Sequence, residues 1–304
     1  MKLRIGTRGS TLALAQSKIV GDALARVVGA DVEVEYVEIS THGDRTTGSL
    51  VGLSETGVFV TALRERLLDD DCDLVVHSLK DMPVAEFDRL VVGAILARGD
   101  ARDALCAGGL SLAELHIGAR VGTSSPRRAA QMRALRPDLA VVDIRGNVDS
   151  RLAKIGGEFD AVVLALSGLE RLGRADAADE IFEPDDMMPA PGQGALAVEL
   201  REDAPPELRS AVAELNDAGT RACVTAERAV LQILQAGCAA PMGALATRAG
   251  DELTLRARVV DAEGKLSLNE LSRGPLGHAE RMGRATGFAL LGRGAVSLMT
   301  TAAT

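Results

Sequence analysis

The 304-residue chain has no tryptophan and a single tyrosine, Tyr36, and aromatic residues make up only 2% of it. Proteins that hold single-stranded nucleic acid stack bases on exposed rings, so this class of partner is excluded. The formal net charge of -9 argues against a general nucleic-acid or anionic-membrane binder. The cysteines, Cys72, Cys106, Cys223 and Cys238, form no CxxC pair and have no metal-ligand spacing with the histidines. Neither a metal site nor a disulfide framework is expected. No apolar run is long enough to span a bilayer. Lys2 to Gly6 already reads as a strand, with no signal peptide ahead of it, so a cytoplasmic protein with free thiols is expected.

What is present suits a soluble chain of two or three domains: 47% hydrophobic and 25% charged residues are enough for real cores. Periodicity predicts strand 2–6, helix 11–27, strand 31–39, helix 58–69 and strand 73–76. The polar run from Ser40 to about Thr56 reads as a lid. A second series follows: strand 119–122, helix 126–136, strand 139–144, helix 149–155 and strand 159–166. Alternating strands and helices imply parallel sheets, and Ile5-Gly6-Thr7 and Val121-Gly122-Thr123 open both series with the same turn. The fold class is therefore α/β with two similar lobes. Pro189 to Gly194 reads as a crossing between them, and strand 195–200 as a return to the first. Helix 220–235 leads to a small α+β domain with an alternating strand over Leu253 to Val259, a hairpin turn at Asp261 to Gly264 and a closing helix, 277–291. The expected division is 1–97 with 196–215, 101–190, and 219–304.

The most informative segment is Val121 to Arg128. It is a strand that breaks at Gly122, followed by Ser124 or Ser125 as a cap and Pro126 in a first helical turn. Arg127 and Arg128 then sit where the helix end is already positive, an unfavourable place unless an anion is expected. On this reading, replacing both with leucine leaves a folded protein, slightly more heat-stable. In open parallel sheets ligands collect beyond the carboxyl ends of strands, and Arg8, Lys80, Arg127, Arg128, Arg145 and Arg171 all fall at such ends, with Arg151 one turn further on. Any one of them alone reads as a surface arginine on a loop; together they point to a polyanionic ligand. Asp81, beside Lys80, either stabilises a developing cation or moves a proton, or only forms an ion pair. Cys238 lies on a loop of small residues, with nothing local to activate it.

At these residues the chain resembles the hydroxymethylbilane synthases, also called porphobilinogen deaminases. The resemblance is carried by Arg4 to Ser10, His77 to Pro83, Val121 to Arg128, Arg145 to Val148 with Arg151, Pro189 to Ala195, and Gly237-Cys238 with Pro241 to Gly243. It implies two lobes like the type II periplasmic binding-protein fold plus a small C-terminal domain. It also implies a transferase that joins four porphobilinogens head to tail, losing ammonia each time, on a dipyrromethane cofactor bound as a thioether, here to Cys238. By this resemblance Asp81 is catalytic. Lys80, Asp81, Thr123, Ser125, Arg127, Arg128 and Arg145 contact the cofactor. Arg8, Ser10, Phe59, Arg145, Arg151, Arg171 and Gln193 bind substrate or the growing chain. A monomer that hands its product to uroporphyrinogen-III synthase is implied. Thr56 stands where the family often has lysine, and Pro126 replaces a more usual apolar residue. Two alternatives share these lobes: a binding protein without catalysis, which would need neither Asp81 nor Cys238, and a ligand-sensing regulator, which would need a DNA-binding helix-turn-helix.

Overall fold

The computed structural model describes residues 2–29, 32–39, 55–236 and 240–300, with the side chains of 55–59 and 300 left aside. Cys238 and most of the segment read as a lid lie outside the described residues. The chain divides into two compact units, Met1–Arg98 with Ala195–Arg221, and Gly99–Gly194 with Ala222–Thr304.

In the first unit β1 (Lys2–Thr7), α1 (Thr11–Val28), β2 (Glu33–Glu38), α2 (Glu55–Leu68), β3 (Leu74–Ser78) and β4 (Leu90–Ile95) follow in turn. The second unit opens with β5 (Asp103–Cys106), β6 (Arg120–Gly122), α3 (Pro126–Leu135), β7 (Ala140–Val142), α4 (Val148–Leu152), β8 (Ala161–Ala165), α5 (Leu166–Arg171) and β9 (Glu180–Ile181). Strand β10 (Leu196–Arg201) and α6 (Pro206–Glu214) belong to the first unit, and α7 (Ala218–Ile233) follows. The chain ends in β11 (Met242–Ala249), β12 (Glu252–Val260), β13 (Ser267–Pro275), α8 (Ala279–Gly292) and α9 (Ala295–Thr300).

The two large sheets repeat one plan. The first runs β2-β1-β3-β10-β4 and the second β7-β6-β8-β5-β9. In each, three strands, β2-β1-β3 in the first and β7-β6-β8 in the second, pair in parallel. One antiparallel strand, β10 or β5, is inserted beside the third of them. Two similar parallel-rich lobes were the expectation, and the strand order bears it out. A strand was expected over 195–200, and β10 is found at Leu196–Arg201; β5 was the harder one to read. Strand β5 is four residues long, and its first residue, Asp103, breaks the apolar pattern. Strands β4, β9, β11 and β13 carry no clean alternation in the sequence either.

Local chemistry explains the helix starts beside the sheets. Ser10 accepts the N–H of Ala13 at 3.2 Å to begin α1. Ser125, rather than Ser124, caps α3, with Pro126 at the first helical position. Asn147 accepts the N–H of Ser150 at 2.9 Å at the start of α4. Each cap satisfies a backbone donor that the helix leaves open. The first lobe packs around Ile5, Leu24, Leu74, Val198 and Leu200. The second has an apolar cluster around Leu105, Val121, Met132 and Met187 and another around Ile144, Val162, Leu164 and Leu169.

The C-terminal sheet, β11-β12-β13, is antiparallel throughout, and its β12–β13 turn is the hairpin expected at Asp261 to Gly264. Gly264 has φ +74°, and a Cβ there would lie 2.5 Å from the Ala134 nitrogen on α3. Only glycine tolerates both the left-handed backbone and that approach. Arg133 on the same helix donates to the Ala262 carbonyl at 2.8 Å. The hairpin therefore packs against the helix that begins with Arg127 and Arg128.

Candidate active site

In the first unit the candidate residues sit where β1 and β3 end. Strand β3 runs out at Ser78, whose hydroxyl accepts the Gln16 amide at 2.8 Å. A short 3-10 turn, Leu79–Asp81, follows. It is pinned by the Leu79 N–H to the Ala195 carbonyl at 3.0 Å and the Met82 N–H to the Leu79 carbonyl at 3.1 Å. Leu79 and Met82 point into the core, while Lys80 and Asp81 between them are half-buried. Among the described residues no salt bridge ties Asp81 to Lys80 or to an arginine. Arg8 follows β1 directly and is half-buried; Ser10 serves as the α1 cap. Phe59 lies in α2, its side chain outside the described set.

Behind this turn is a group that the sequence reading did not find. Arg64 on α2 donates to both carboxylate oxygens of Glu199 on β10, through Nε at 3.0 Å to each and Nη2 at 2.8 Å to Oε1. His77 Nε2 lies 3.1 Å from Glu199 Oε2. All three side chains are buried. Burial alone would raise the Glu199 carboxyl, but its bonds to His77 and Arg64 outweigh that and hold it below the ordinary range. The signal was a lone carboxylate inside the apolar run 195–200.

In the second unit the centre of the site is Asp103, which is fully buried at the start of β5. Arg127 Nη1 meets its Oδ2 at 2.7 Å. Arg128 meets its Oδ1 through Nη2 at 2.7 Å and Nε at 2.9 Å. Gln193 Nε2 donates to the same Oδ1 at 2.9 Å and to the Ala101 carbonyl at 2.6 Å. Arg127 Nη1 also reaches the Met188 carbonyl at 2.7 Å, and Arg128 Nη1 the Val163 carbonyl at 3.1 Å. Burial pushes the Asp103 carboxyl up, but Arg127 and Arg128 outweigh it and hold it well below the carboxylate range. Burial likewise pulls Arg127 down from the ordinary guanidinium value.

This arrangement corrects one expectation. The two arginines do have an anion, but it is supplied from within the chain. Their guanidinium groups turn away from the helix start into the lobe, so leucine at both positions would strand a buried carboxylate rather than relieve strain.

The other expected residues group more loosely. Thr123 Oγ1 accepts the Ser125 N–H at 3.2 Å, on the turn that leads into Arg127 and Arg128, while Arg127, Arg128 and Gln193 meet at Asp103. Arg151 donates to the Gly146 carbonyl at 2.8 Å and the Ser124 hydroxyl at 3.2 Å. Arg145 is exposed, with Nε 3.1 Å from Asp143. Arg171 lies apart from the Asp103 contacts and donates to the Gly194 carbonyl at 2.5 Å; burial lowers it from its ordinary value. Burial pushes the Cys72 thiol up to about 11 and the Cys106 thiol up to about 12, so neither is a ready nucleophile. Among the described residues no group of three or more His, Cys, Asp or Glu could hold a metal, and no helix is long and apolar enough to cross a membrane.

Comparison with known proteins places this geometry. Residues 3–208 match the family model of the porphobilinogen deaminase dipyrromethane cofactor binding domain, and residues 221–292 that of the porphobilinogen deaminase C-terminal domain. The porphobilinogen deaminase of Leifsonia xyli is 54% identical over 88% of this chain and 82% of its own length. That of Acidothermus cellulolyticus is 48% identical over 98% and 91%, and that of Mycobacterium bovis 47% identical over 98% of both. Among solved structures, a TRAP periplasmic solute binding protein from Desulfovibrio salexigens aligns over 71% of this chain and 72% of that one, at 12% identity and a TM-score of 0.43. The family models take in both units, and the segments that carry the resemblance fall within the matched regions: the chain belongs to the porphobilinogen deaminase family.

Proposed function

We propose that the chain condenses four porphobilinogen units head to tail, with loss of ammonia at each step, to give hydroxymethylbilane. The observation that carries the reading is the match of both family domains to a chain that keeps Lys80-Asp81 on a pinned turn and Arg127-Arg128 in one buried cluster. The family's dipyrromethane cofactor fits that cluster. Two guanidinium groups share a single carboxylate there, and the buried Nε of Arg127 has no hydrogen-bond partner, so a carboxylated ligand is suited to it. When bound, that cofactor supplies a nucleophilic pyrrole from which the chain is extended.

Cys238 is the residue we assign to the thioether. The buried, high-pKa state of Cys72 and Cys106 supports the choice. Lys80, Thr123, Ser125, Arg127, Arg128 and Arg145 are assigned to holding the cofactor. Arg8, Ser10, Phe59, Arg145, Arg151, Arg171 and Gln193 are assigned to the acetate and propionate arms of substrate and product. Each pyrrole brings two carboxylates, so the need for cations grows with the chain; charge-assisted hydrogen bonds of this kind contribute about 1.5–3 kcal/mol each. Loss of ammonia from porphobilinogen leaves a cation. Asp81 is assigned to stabilising that charge and moving protons; its having no salt bridge among the described residues supports the choice.

We assign residues 219–304 to a small α+β domain, beside lobes 1–97 with 196–215 and 101–190; their three separate sheets support the division. We further propose a cytoplasmic monomer that passes its product to uroporphyrinogen-III synthase. Incubating the purified loaded chain with porphobilinogen tests the activity. Consumption should proceed without added metal or nucleotide, and loss of activity on chelation that metal restores would refute the reading.

A further inference from the structure

The Arg127–Arg128–Asp103 cluster has an uneven charge count. Two guanidinium groups bring two positive charges, and the one carboxylate among them removes one. All three side chains are buried, Asp103 completely. The carboxylate is also saturated. Its Oδ1 takes Nε and Nη2 of Arg128 and the Gln193 amide, and its Oδ2 takes Nη1 of Arg127.

The two arginines are not equivalent around it. Arg128 is committed at all three nitrogens, two to Asp103 and one to the Val163 carbonyl. Arg127 is held by Nη1 alone, between Asp103 and the Met188 carbonyl, and its buried Nε–H is unsatisfied. Buried donors without an acceptor are rare in folded proteins, because each forfeits its hydration. An unbalanced buried cation beside such a donor calls for an anion.

We propose that Asp103 is the positioning residue of this site: it neutralises and orients Arg128, fixes one edge of Arg127, and leaves the remaining charge and the Nε–H of Arg127 to receive a single carboxylate of the bound ligand. Asp103 does not touch the ligand; it acts through the two arginines. The proposal rests on the reading of Arg127 and Arg128 as cofactor contacts, and adds the division of labour between them and the count of one carboxylate. It also accounts for why an aspartate is tolerated at the heart of an anion site. Without it two like charges would be buried side by side, and the site would not form ahead of its ligand.

The test uses the full chain carrying Cys238→Ala, shown by intact mass to be free of cofactor, with inorganic sulfate as the probe and chloride of matched ionic strength as the control. Sulfate should raise the melting temperature of this protein above the chloride control by about 2 °C or more at saturating concentration. Adding Arg127→Gln leaves Asp103 and Arg128 balanced, and the sulfate-specific rise should vanish. Adding Asp103→Asn instead should lower the starting melting temperature and enlarge the rise. No rise in the parent, or an equal rise with Arg127→Gln, overturns the proposal. So does an Asp103→Asn protein that melts and responds like its parent. If Asp103→Asn does not fold, the Arg127→Gln comparison still decides the charge count. Porphobilinogen consumption by the unmodified loaded chain is measured separately: its absence sinks the functional reading, whereas an unchanged sulfate response in Arg127→Gln sinks only this one.

Discussion

Single residues divide here into those that would do chemistry and those that hold them in place. Asp81→Asn keeps the size of the side chain and removes its charge. If the carboxylate stabilises a cationic transition state, turnover per loaded enzyme should fall on the order of a hundredfold, equivalent to roughly 3 kcal/mol. Single-turnover rates normalised to bound dipyrromethane measure this, and a rate within about threefold of wild type, under 1 kcal/mol, would remove Asp81 from the chemistry. The cysteines give a second test by mass. Cys238→Ser should lose the covalent cofactor, whereas Cys72→Ser, Cys106→Ser and Cys223→Ser, all at buried positions, should retain it. Replacing both Arg127 and Arg128 with leucine should now lower stability. Asp103 would be left buried without a counter-charge, a loss of about 3–5 kcal/mol for a broken buried pair, readable by denaturant unfolding.

Elements carry the site through their ends. Both Lys80-Asp81 and Arg127-Arg128 follow strands of parallel sheets, β3 and β6, and the turns there are set by caps and short hydrogen bonds rather than by the sheet. These features were legible in the sequence. Ser and Pro before Arg127, and the break at Gly122, predicted the strand-to-helix turn, and Ser125 does cap α3. Ser125→Ala should cost about 1 kcal/mol through the lost cap, and cofactor occupancy should fall with it if the hydroxyl also contacts the cofactor. Strand β5, and the partners of both β5 and β10, were harder to read. Each of these two strands is inserted antiparallel among strands distant in sequence, and each carries one buried acid, Asp103 or Glu199, in an otherwise apolar run. A carboxylate in a strand looks like an exposed position until its partners are known. Local alternation cannot supply those partners.

For the whole molecule, buried carboxylates tie stability to acidity. Asp103 and Glu199 are both held below their ordinary range in the folded state, by Arg127 and Arg128 and by His77 and Arg64 respectively. The folded state therefore binds fewer protons than the unfolded one in acid. Their contribution is fully present above the unfolded carboxylate values near 4 and is lost as pH falls through the lower folded values. Unfolding free energy should drop by about 1.4 kcal/mol per pH unit for each such group below about pH 4. Asp103→Asn and Glu199→Gln should each start less stable and show a shallower acid slope; slopes equal to wild type would mean that these groups are not the ones titrating.

By itself the sequence determined what short-range chemistry dictates. Strand and helix periods, the serine cap and proline before Arg127, the cations at strand ends, the Asp261 to Gly264 turn and the family's motifs all lie within a few residues of one another. The tertiary structure decided what each cation faces. Arg127 reaches Asp103 across 24 residues, Gln193 reaches it across 90, and Arg64 meets Glu199 across 135. The physical reason is that burial and charge pairing are properties of a packed interior. An arginine's sequence neighbours show that it needs an anion, and only the fold shows whether that anion comes from the chain or from a ligand.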